Sequence, residues 1–248
     1  MIRDAVILAA GKGTRLRASD DDLPKPLQLV REVPLIKRTI LTLAEAGVTR
    51  VVVVTGFMAD LVSRTVLEDP SYAAAGIEIV IAHNPDFEKS NGISVLVGGA
   101  QCTGPFLLSM ADHVYTAAVV KAVAAKDFAA ADLYLATDKR IHHQLDIADA
   151  TKVSSYDGRI VDIGKTIENY DRIDCGVFAV TQKLLKALEE VRQERGDCSL
   201  SEGVRRLADL GRARCADIGN AFWQDVDTPA DRDHAEAGLS REERSGVA

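Results

Sequence analysis

Over the first two-thirds of the chain, short runs of aliphatic and β-branched residues alternate with longer amphipathic stretches. Residues 5–9 read as a buried strand, 35–46 as a helix closed by Gly47, 50–55 (RVVVVT) as a second strand and 58–67 as a second helix. Residues 77–82 and 106–110 are further apolar strands, with a helical segment from about Ile93 between them. These strands are continuously apolar rather than alternating, which suits strands covered on both faces. Strands alternating with helices of this length imply βαβ units. The expected fold class is therefore α/β: a Rossmann-like, mostly parallel sheet with helices on both faces.

After about Asp132 the rhythm changes. Residues 152–155 and 160–163 flank Tyr156-Asp157-Gly158-Arg159, and Asp-Gly between extended runs signals a β-hairpin. Residues 174–180 read as another strand, 181–195 and 200–210 as helices, 213–218 as a late strand, and a short helix starts at Pro229. There is no internal repeat and no low-complexity linker. We expect one domain over 1–236 with a small β insertion at about 138–170, and a flexible tail over 237–248, where small and charged residues dominate.

Composition narrows the setting. At 248 residues with 47% hydrophobic content, the chain can bury a globular core. No apolar run approaches the roughly 18–20 residues of a membrane span, so no membrane insertion is expected. The opening Met1-Ile2-Arg3-Asp4 leads straight into a strand, without the basic and apolar regions of a signal peptide. Cys102, Cys175, Cys198 and Cys215 are scattered, with no CxxC pair, and read as reduced thiols. Together these features point to a cytoplasmic protein. A net charge of −7 argues against a nucleic-acid surface, but a local cluster of Lys12, Arg15, Arg17 and Lys25 can still serve an anionic small molecule.

The chemistry begins directly after the first strand, in Ala9-Ala10-Gly11-Lys12-Gly13-Thr14-Arg15. Small residues let backbone N–H groups close around a phosphate chain. The loop is not a Walker loop, since GxxxxGK[ST] is absent. It is not a dinucleotide fingerprint either, because Leu16 stands where the third glycine belongs. About ten residues of loop then follow where such a fold would already have begun its helix.

LAAGKGTRLR at 8–17 followed by LPKP at 23–26 resembles the signature of the sugar-phosphate nucleotidyltransferases. The resemblance implies a GT-A-like nucleotidyltransferase fold and a nucleotide-binding set of Leu8, Ala9, Ala10, Gly11, Lys12, Gly13 and Thr14. It further implies that Lys12 and Arg15 bind and polarise the triphosphate, and that Lys25 contacts the α-phosphate region. Arg15 and Lys25 are thus the candidate catalytic residues. Positioning and charge neutralisation by cations carry most of the catalysis in such a transfer.

Phe106 to Asp112 is an apolar strand ending in an acid, and in parallel α/β sheets the carboxyl ends of strands line the ligand crevice. Asp112 is thereby expected on the same edge as the glycine loop. A second acidic cluster, Asp225-Val226-Asp227, lies near the C-terminus. Two carboxylates from separate strands suit Mg²⁺ held against phosphate oxygens. The resemblance implies one metal-binding Asp at each place: Asp112, and either Asp225 or Asp227, with Asp227 favoured because Val-Asp-Thr-Pro matches the cytidylyltransferase-like members. His113 is expected as a substrate contact, since an ionised phosphate nucleophile needs no base. His142 and His143, in the expected insertion, read as solvated or rim residues.

Farther along, LPKPLQLV, NGISVL, LLSMADHVY, ATKV, DGRIVDIGK, DCGVF, SLSE and WQDVDTPAD occur in this order and look like the CTP:inositol-1-phosphate cytidylyltransferases. The resemblance implies CTP and a phosphorylated alcohol as substrates, base recognition by Asn84, Asn91, Gly92 and Ser94, and an acceptor site holding Lys165, with Asp174 on ring hydroxyls and Lys152 assisting. In many members this domain is fused to a membrane-embedded CDP-alcohol phosphotransferase, so a separate membrane enzyme is expected to use the product. Phosphocholine, an aminoalkyl phosphonate or a sugar 1-phosphate, with UTP or dTTP as donor, are the other acceptors and donors in view. Aromatic residues at 5% leave little for a choline cage. Of the other classes, a dinucleotide-dependent oxidoreductase fails on the missing glycine and on Thr55-Gly56, where an acid should end the second strand. A catalytically silent regulatory subunit is opposed by the presence of Arg15, Lys25 and Asp112. The oligomeric state is left open between monomer and homodimer.

Overall fold

The computed structural model describes residues 2–13, 15–16, 23–141 and 147–245. The chain begins with β1 (Asp4–Ala9), then the short strands β2 (Leu29–Val30) and β3 (Val33–Pro34), α1 (Leu35–Glu45), β4 (Arg50–Thr55), α2 (Ala59–Leu67), α3 (Pro70–Ala74) and β5 (Glu78–His83). It continues through α4 (Asn91–Gly99), β6 (Phe106–Met110), β7 (His113–Tyr115), α5 (Ala117–Ala124) and β8 (Leu133–Asp138). The remainder comprises β9 (Lys152–Tyr156), β10 (Arg159–Gly164), β11 (Arg172–Val180), α6 (Gln182–Arg195), α7 (Leu200–Asp209), β12 (Ala213–Asp217), β13 (Trp223–Asp225) and α8 (Pro229–Ser245).

Nine strands form one sheet in the order β5-β4-β1-β6-β11-β8-β12-β10-β9. The β5-β4-β1-β6 half is parallel. β11 runs antiparallel between β6 and β8, so the sheet is mixed and the expected α/β class holds. Alternate residues of β1 and β4 feed opposite cores: Ile7 and Val53 pack with α1, α2 and α5, whereas Val6 and Val54 pack with α4, α6 and α7. That double burial is the physical reason Ala5–Ala9 and Val51–Val54 are apolar without interruption. α4 lies close on the sheet because a Cβ at Gly98 would strike Val6 and Val54, and this brings the start of α4 to the strand ends.

The elements not expected include β8 and α5. β8 is buried along its whole length, but Leu-Tyr-Leu-Ala-Thr-Asp is a short run without flanking turn signals. α5, mostly alanine and valine, shows weak amphipathic contrast. The hairpin β9–β10 is not a separate insertion: β10 pairs with β12, and β9 pairs with both β10 and β11, so it completes the sheet. Of the expected tail, residues 237–245 continue α8, and 246–248 lie outside the described residues. Leu239 packs against the cluster of Val30, Val114, Val226 and Ala235, and Glu236 accepts from the Arg31 backbone N–H. Such docking stabilises a segment whose composition alone reads as frayed. Finally, the β11–β8 register shifts between Asp174 and Phe178, and within this bulge Gly176 has φ of +73°.

Candidate active site

Chain order and sheet order diverge at β1: the chain proceeds outward to β4 and β5, then returns to the other side as β6. Ligand crevices open at such switch points, beyond the carboxyl ends of the strands. β1 runs there into the glycine loop, and β6 into Ala111-Asp112. A cavity of about 300 Å³ lies between them, lined by Leu8, Ala9, Gly11, Gly13, Lys25 and Asp112 among others. Lys25 enters from a 3₁₀ turn, Lys25–Leu27, held between Pro24 and Pro26. Its stem crosses Gly13, whose φ is +57° and where any Cβ would collide with the lysine. Glycine is thus required there for both conformation and space.

The Lys25 ammonium lies 2.6 Å from Asp112 Oδ2, contacts Asp227 Oδ1 and is 4.0 Å from Asp225 Oδ1. Arg15 Nη2 reaches Asp227 Oδ2 at 2.6 Å. Antiparallel pairing of β7 with β13 sets Asp225 opposite His113, and the Val226 N–H donates to Asp112 O at 3.0 Å. His113 Nδ1 is 2.8 Å from Asp112 Oδ1 and 3.8 Å from Asp225 Oδ1. Asp227 is fixed from behind, because its N–H and that of Thr228 both donate to Asp231 at the start of α8.

Burial and charge compete in this cluster. Burial disfavours the Lys25 charge, but Asp112, Asp225 and Asp227 outweigh it and hold the lysine above its ordinary value. Burial alone would raise the Asp112 carboxyl, yet Lys25 and His113 pull it well below the usual range. Burial likewise opposes the His113 charge, and Asp225 and Asp112 raise that imidazole to about 9. Asp225 goes the other way: burial lifts it to about 7 against the attraction of His113. Among the described residues its buried Oδ1 has no hydrogen-bond partner.

A second cavity of about 270 Å³ adjoins the first and shares Arg15, Asp112 and Asp227 with it. Its far wall carries Asp149, Lys165, Asp174 and Trp223. Lys165 Nζ binds Asp149 Oδ1 at 2.8 Å. Asp174 accepts from the Gly176 N–H at 2.7 Å, and burial raises it to about 6. Trp223 stacks on His113 with centroids 6.0 Å apart and donates its indole N–H to Asp138 at 2.8 Å. Asp138 is in turn held by Arg140 at 2.9 Å, so the floor of this cavity rests on a buried polar chain.

The expected site residues divide into two sets. Leu8, Ala9, Gly11, Gly13, Arg15, Lys25, Asp112, His113, Lys165, Asp174, Asp225 and Asp227 line one or both cavities. Ala10 is buried behind the loop, its carbonyl accepting from the Phe57 N–H. Thr14, His142 and His143 lie outside the described residues. The base-recognition set is placed differently. Asn84 is buried and donates to Ser94 Oγ at 2.9 Å, a Cβ at Gly92 would strike Cys198, and Asn91 accepts from the Leu200 N–H at 2.8 Å. Asn84, Gly92 and Ser94 hold α4 in place and do not face the loop cavity. Asn91 lines the second cavity instead. Lys12 contacts Glu88 on the surface. Lys152 donates to Lys165 O at 2.6 Å, bracing that lysine through its backbone. The preference for Asp227 as metal ligand also meets a competing arrangement: the ligand atoms that cluster within 4.8 Å belong to Asp112, His113 and Asp225, whereas Asp227 is occupied by Lys25 and Arg15.

Asp149, Trp223 and Asp138 were missed. Asp149 lies outside every motif, and its place in the site depends on contacts with Arg15 and Lys165 that its sequence neighbours do not announce. Trp223 was visible only as a motif letter, though a lone tryptophan beside an acidic cluster is a usable signal for a pocket floor.

A mixed α/β sheet with a glycine loop, a buried lysine and paired aspartates at its switch point defines a nucleotidyltransferase. Residues 5–210 match the MobA-like NTP transferase domain, and the chain belongs to that family. It is 33% identical over its whole length to a bifunctional IPC transferase and DIPP synthase of Aquifex aeolicus, covering 54% of that protein. It is 34% identical over 96% of its length to the protein of that name in Thermococcus kodakarensis, covering 50% of it. The chain therefore spans about half the length of these curated relatives. The inositol-1-phosphate CTP transferase of T. maritima superposes with a TM-score of 0.84 at 31% identity, covering all of this chain and 98% of the other. A putative glucose-1-phosphate thymidylyltransferase from Bacillus anthracis, 17% identical with a TM-score of 0.78 over 96% of this chain and 95% of its own, shares the fold. No helix among the described residues is long and apolar enough to cross a membrane.

Proposed function

We propose that this chain is a Mg²⁺-dependent cytidylyltransferase that transfers CMP from CTP to a phosphorylated polyol, inositol 1-phosphate first, releasing pyrophosphate. The observation that carries the reading is the pair of adjoining cavities, with Arg15 and Lys25 beside the glycine loop and Lys165 across the shared carboxylates. That layout suits two phosphates meeting at one point. The substrates that name the T. maritima transferase, inositol 1-phosphate and CTP, supply the identities, and a cytoplasmic location accompanies the reading.

An oxygen of the acceptor phosphate attacks the α-phosphorus of CTP, a new P–O bond forms, and the bond to the β-phosphate breaks as pyrophosphate leaves. The glycine loop N–H groups and Arg15 hold the triphosphate, Lys25 neutralises charge at the α-phosphate, and Lys165 orients the incoming phosphate. No residue need remove a proton, because a phosphate monoester is already ionised near neutral pH. His113, raised to about 9, is suited to donate rather than accept.

The donor set fits a divalent cation. The carboxylates of Asp112 and Asp225 lie close enough together to hold one ion, and a triphosphate adds further negative charge. The orphaned Asp225 Oδ1 beside Asp112 supports these two as the ligands. Carboxylate oxygens suit Mg²⁺ better than the His113 nitrogen does. When bound, Mg²⁺ would offset charge on the triphosphate oxygens, while Asp227 keeps Lys25 and Arg15 aimed.

The test is pyrophosphate release by purified protein with Mg²⁺, each of the four NTPs and a panel of phosphorylated alcohols. CTP with inositol 1-phosphate should be the fastest pair. Absence of release with every pair overturns the enzyme reading, and a preference for UTP or dTTP with a hexose 1-phosphate overturns the cytidylyl assignment.

A further inference from the structure

One carboxylate joins the two phosphate-binding halves. Arg15 Nη2 lies 2.7 Å from Asp149 Oδ2, and Lys165 Nζ lies 2.8 Å from Asp149 Oδ1. The cation that faces the nucleotide and the cation that faces the acceptor are therefore held by opposite oxygens of the same side chain. Asp149 sits on the wall of the acceptor cavity with Ala150 and Thr151. The segment is tied down at Thr151, whose carbonyl accepts from the Asp174 N–H at 2.9 Å. Arg15 has a second carboxylate, Asp227 at 2.6 Å, and so remains oriented when Asp149 leaves.

We infer that Asp149 is a placeholder anion that couples the two substrate subsites: it occupies Arg15 and Lys165 together until a substrate phosphate displaces it. The inference rests on the reading of function above. A phosphate approaching either cation meets the Asp149 charge at close range, and like charges at that separation repel strongly in a partly desolvated site. Displacing Asp149 from one cation carries its carboxylate away from the other. The work of displacement is then done once, by whichever ligand arrives first, and the second finds its cation already released from Asp149. Two ligands that share one conformational cost bind with positive cooperativity, and the coupling is reciprocal. The arrangement favours the ternary complex over either half-filled state, which suits an enzyme whose activated nucleotide must not meet water alone.

The experiment is a binding cycle by calorimetry with inositol 1-phosphate and α,β-methylene-CTP, an analogue that cannot release pyrophosphate, in the presence of Mg²⁺. In the unaltered protein the analogue should tighten inositol 1-phosphate binding by about fivefold or more. In Asp149→Asn, inositol 1-phosphate alone should bind more tightly than to the unaltered protein, and the added effect of the analogue should shrink by about the same factor. Asp149→Glu, which keeps the charge, should retain the coupling, and circular dichroism of both variants checks that they fold. Undiminished coupling in Asp149→Asn, or weaker binding of inositol 1-phosphate alone to it, overturns the inference while pyrophosphate release by the unaltered protein still stands. If the unaltered protein binds neither probe and releases no pyrophosphate from CTP and inositol 1-phosphate, the functional reading fails and takes the inference with it.

Discussion

The nucleotide half and the acceptor half of this molecule are built by different rules. In the first, four parallel strands end at one edge, and the functional groups stand in the loops that leave them: Gly11 and Gly13 after β1, Asp112 after β6. In the second, strands of both directions meet, and the cavity draws Asp149 from before β9, Lys165 from after β10, Asp174 from β11 and Trp223 from β13. A parallel edge concentrates chemistry in a few contiguous motifs, whereas a mixed region assembles it from scattered positions. The first half should therefore govern turnover, and the second should govern which acceptor is used.

The largest effect should come from Asp112→Ala. Losing the strand-end carboxylate should lower pyrophosphate release by roughly 10³-fold, the scale at which transition-state charge stabilisation is lost. Asp225→Asn should raise the Mg²⁺ concentration needed for half-maximal rate, and Asp227→Asn should leave it nearly unchanged; the reverse order would restore Asp227 as the ligand.

Next in size is Lys25→Met. It leaves Asp112, Asp225 and Asp227 facing one another without the lysine, whose side chain is only 8% exposed. Removing one partner from such a cluster typically destabilises by about 3–5 kcal/mol. The thermal midpoint should fall and recover partly on adding Mg²⁺. A midpoint that does not move would mean the cluster is better hydrated than its burial indicates.

Lys165→Ala tests the acceptor half. Loss of a charge-assisted hydrogen bond should raise the KM for inositol 1-phosphate by roughly 10- to 100-fold, with the KM for CTP within about twofold, since steady-state kinetics can separate the two subsites. Equal changes in both would erase the division between the halves.

The smallest effect concerns Asp174. Burial raises its folded pKa to about 6, above the unfolded value, so its contribution to stability is full below the unfolded pKa and is lost as pH rises through about 6. Asp174→Asn keeps an oxygen for the Gly176 N–H. It should therefore stabilise the fold at pH 8 by an amount on the order of 1–3 kcal/mol, read as a higher thermal midpoint, with the gain disappearing below about pH 4. A gain that persists at low pH would point to packing instead of charge.

The same division decided what could be read from the sequence. β1, β4 and β6 were legible because burial on both faces writes an unbroken apolar run, and Lys25 and Asp112 because short motifs hold them beside such runs. β8 escaped because no turn signal flanks it, and α5 because alanine and valine on all sides blur the helical period. Asn84 and Ser94 occupy the expected segment, yet their hydrogen bond to each other turns them inward, a pairing across a turn that residue types cannot reveal. Asp149 escaped for a further reason: its role depends on meeting Arg15, which lies at the other end of the fold's construction.

The bulge in β11 bears on how such a molecule can change over generations. Asp174 on one side of it serves the acceptor cavity, while Val177 to Val180 on the other side pair with β6 beneath the nucleotide. Because strand side chains alternate, gaining or losing one residue between Asp174 and Phe178 would turn Asp174 to the opposite face while leaving the β6 pairing untouched. Length changes in that strand are closed in single steps. The Asp157-Gly158 turn, at the outer tip of the β9–β10 hairpin, carries no such parity. New acceptor preferences should therefore arise by substitution around the second cavity or by growth at that tip, with the spacing inside β11 inherited unchanged.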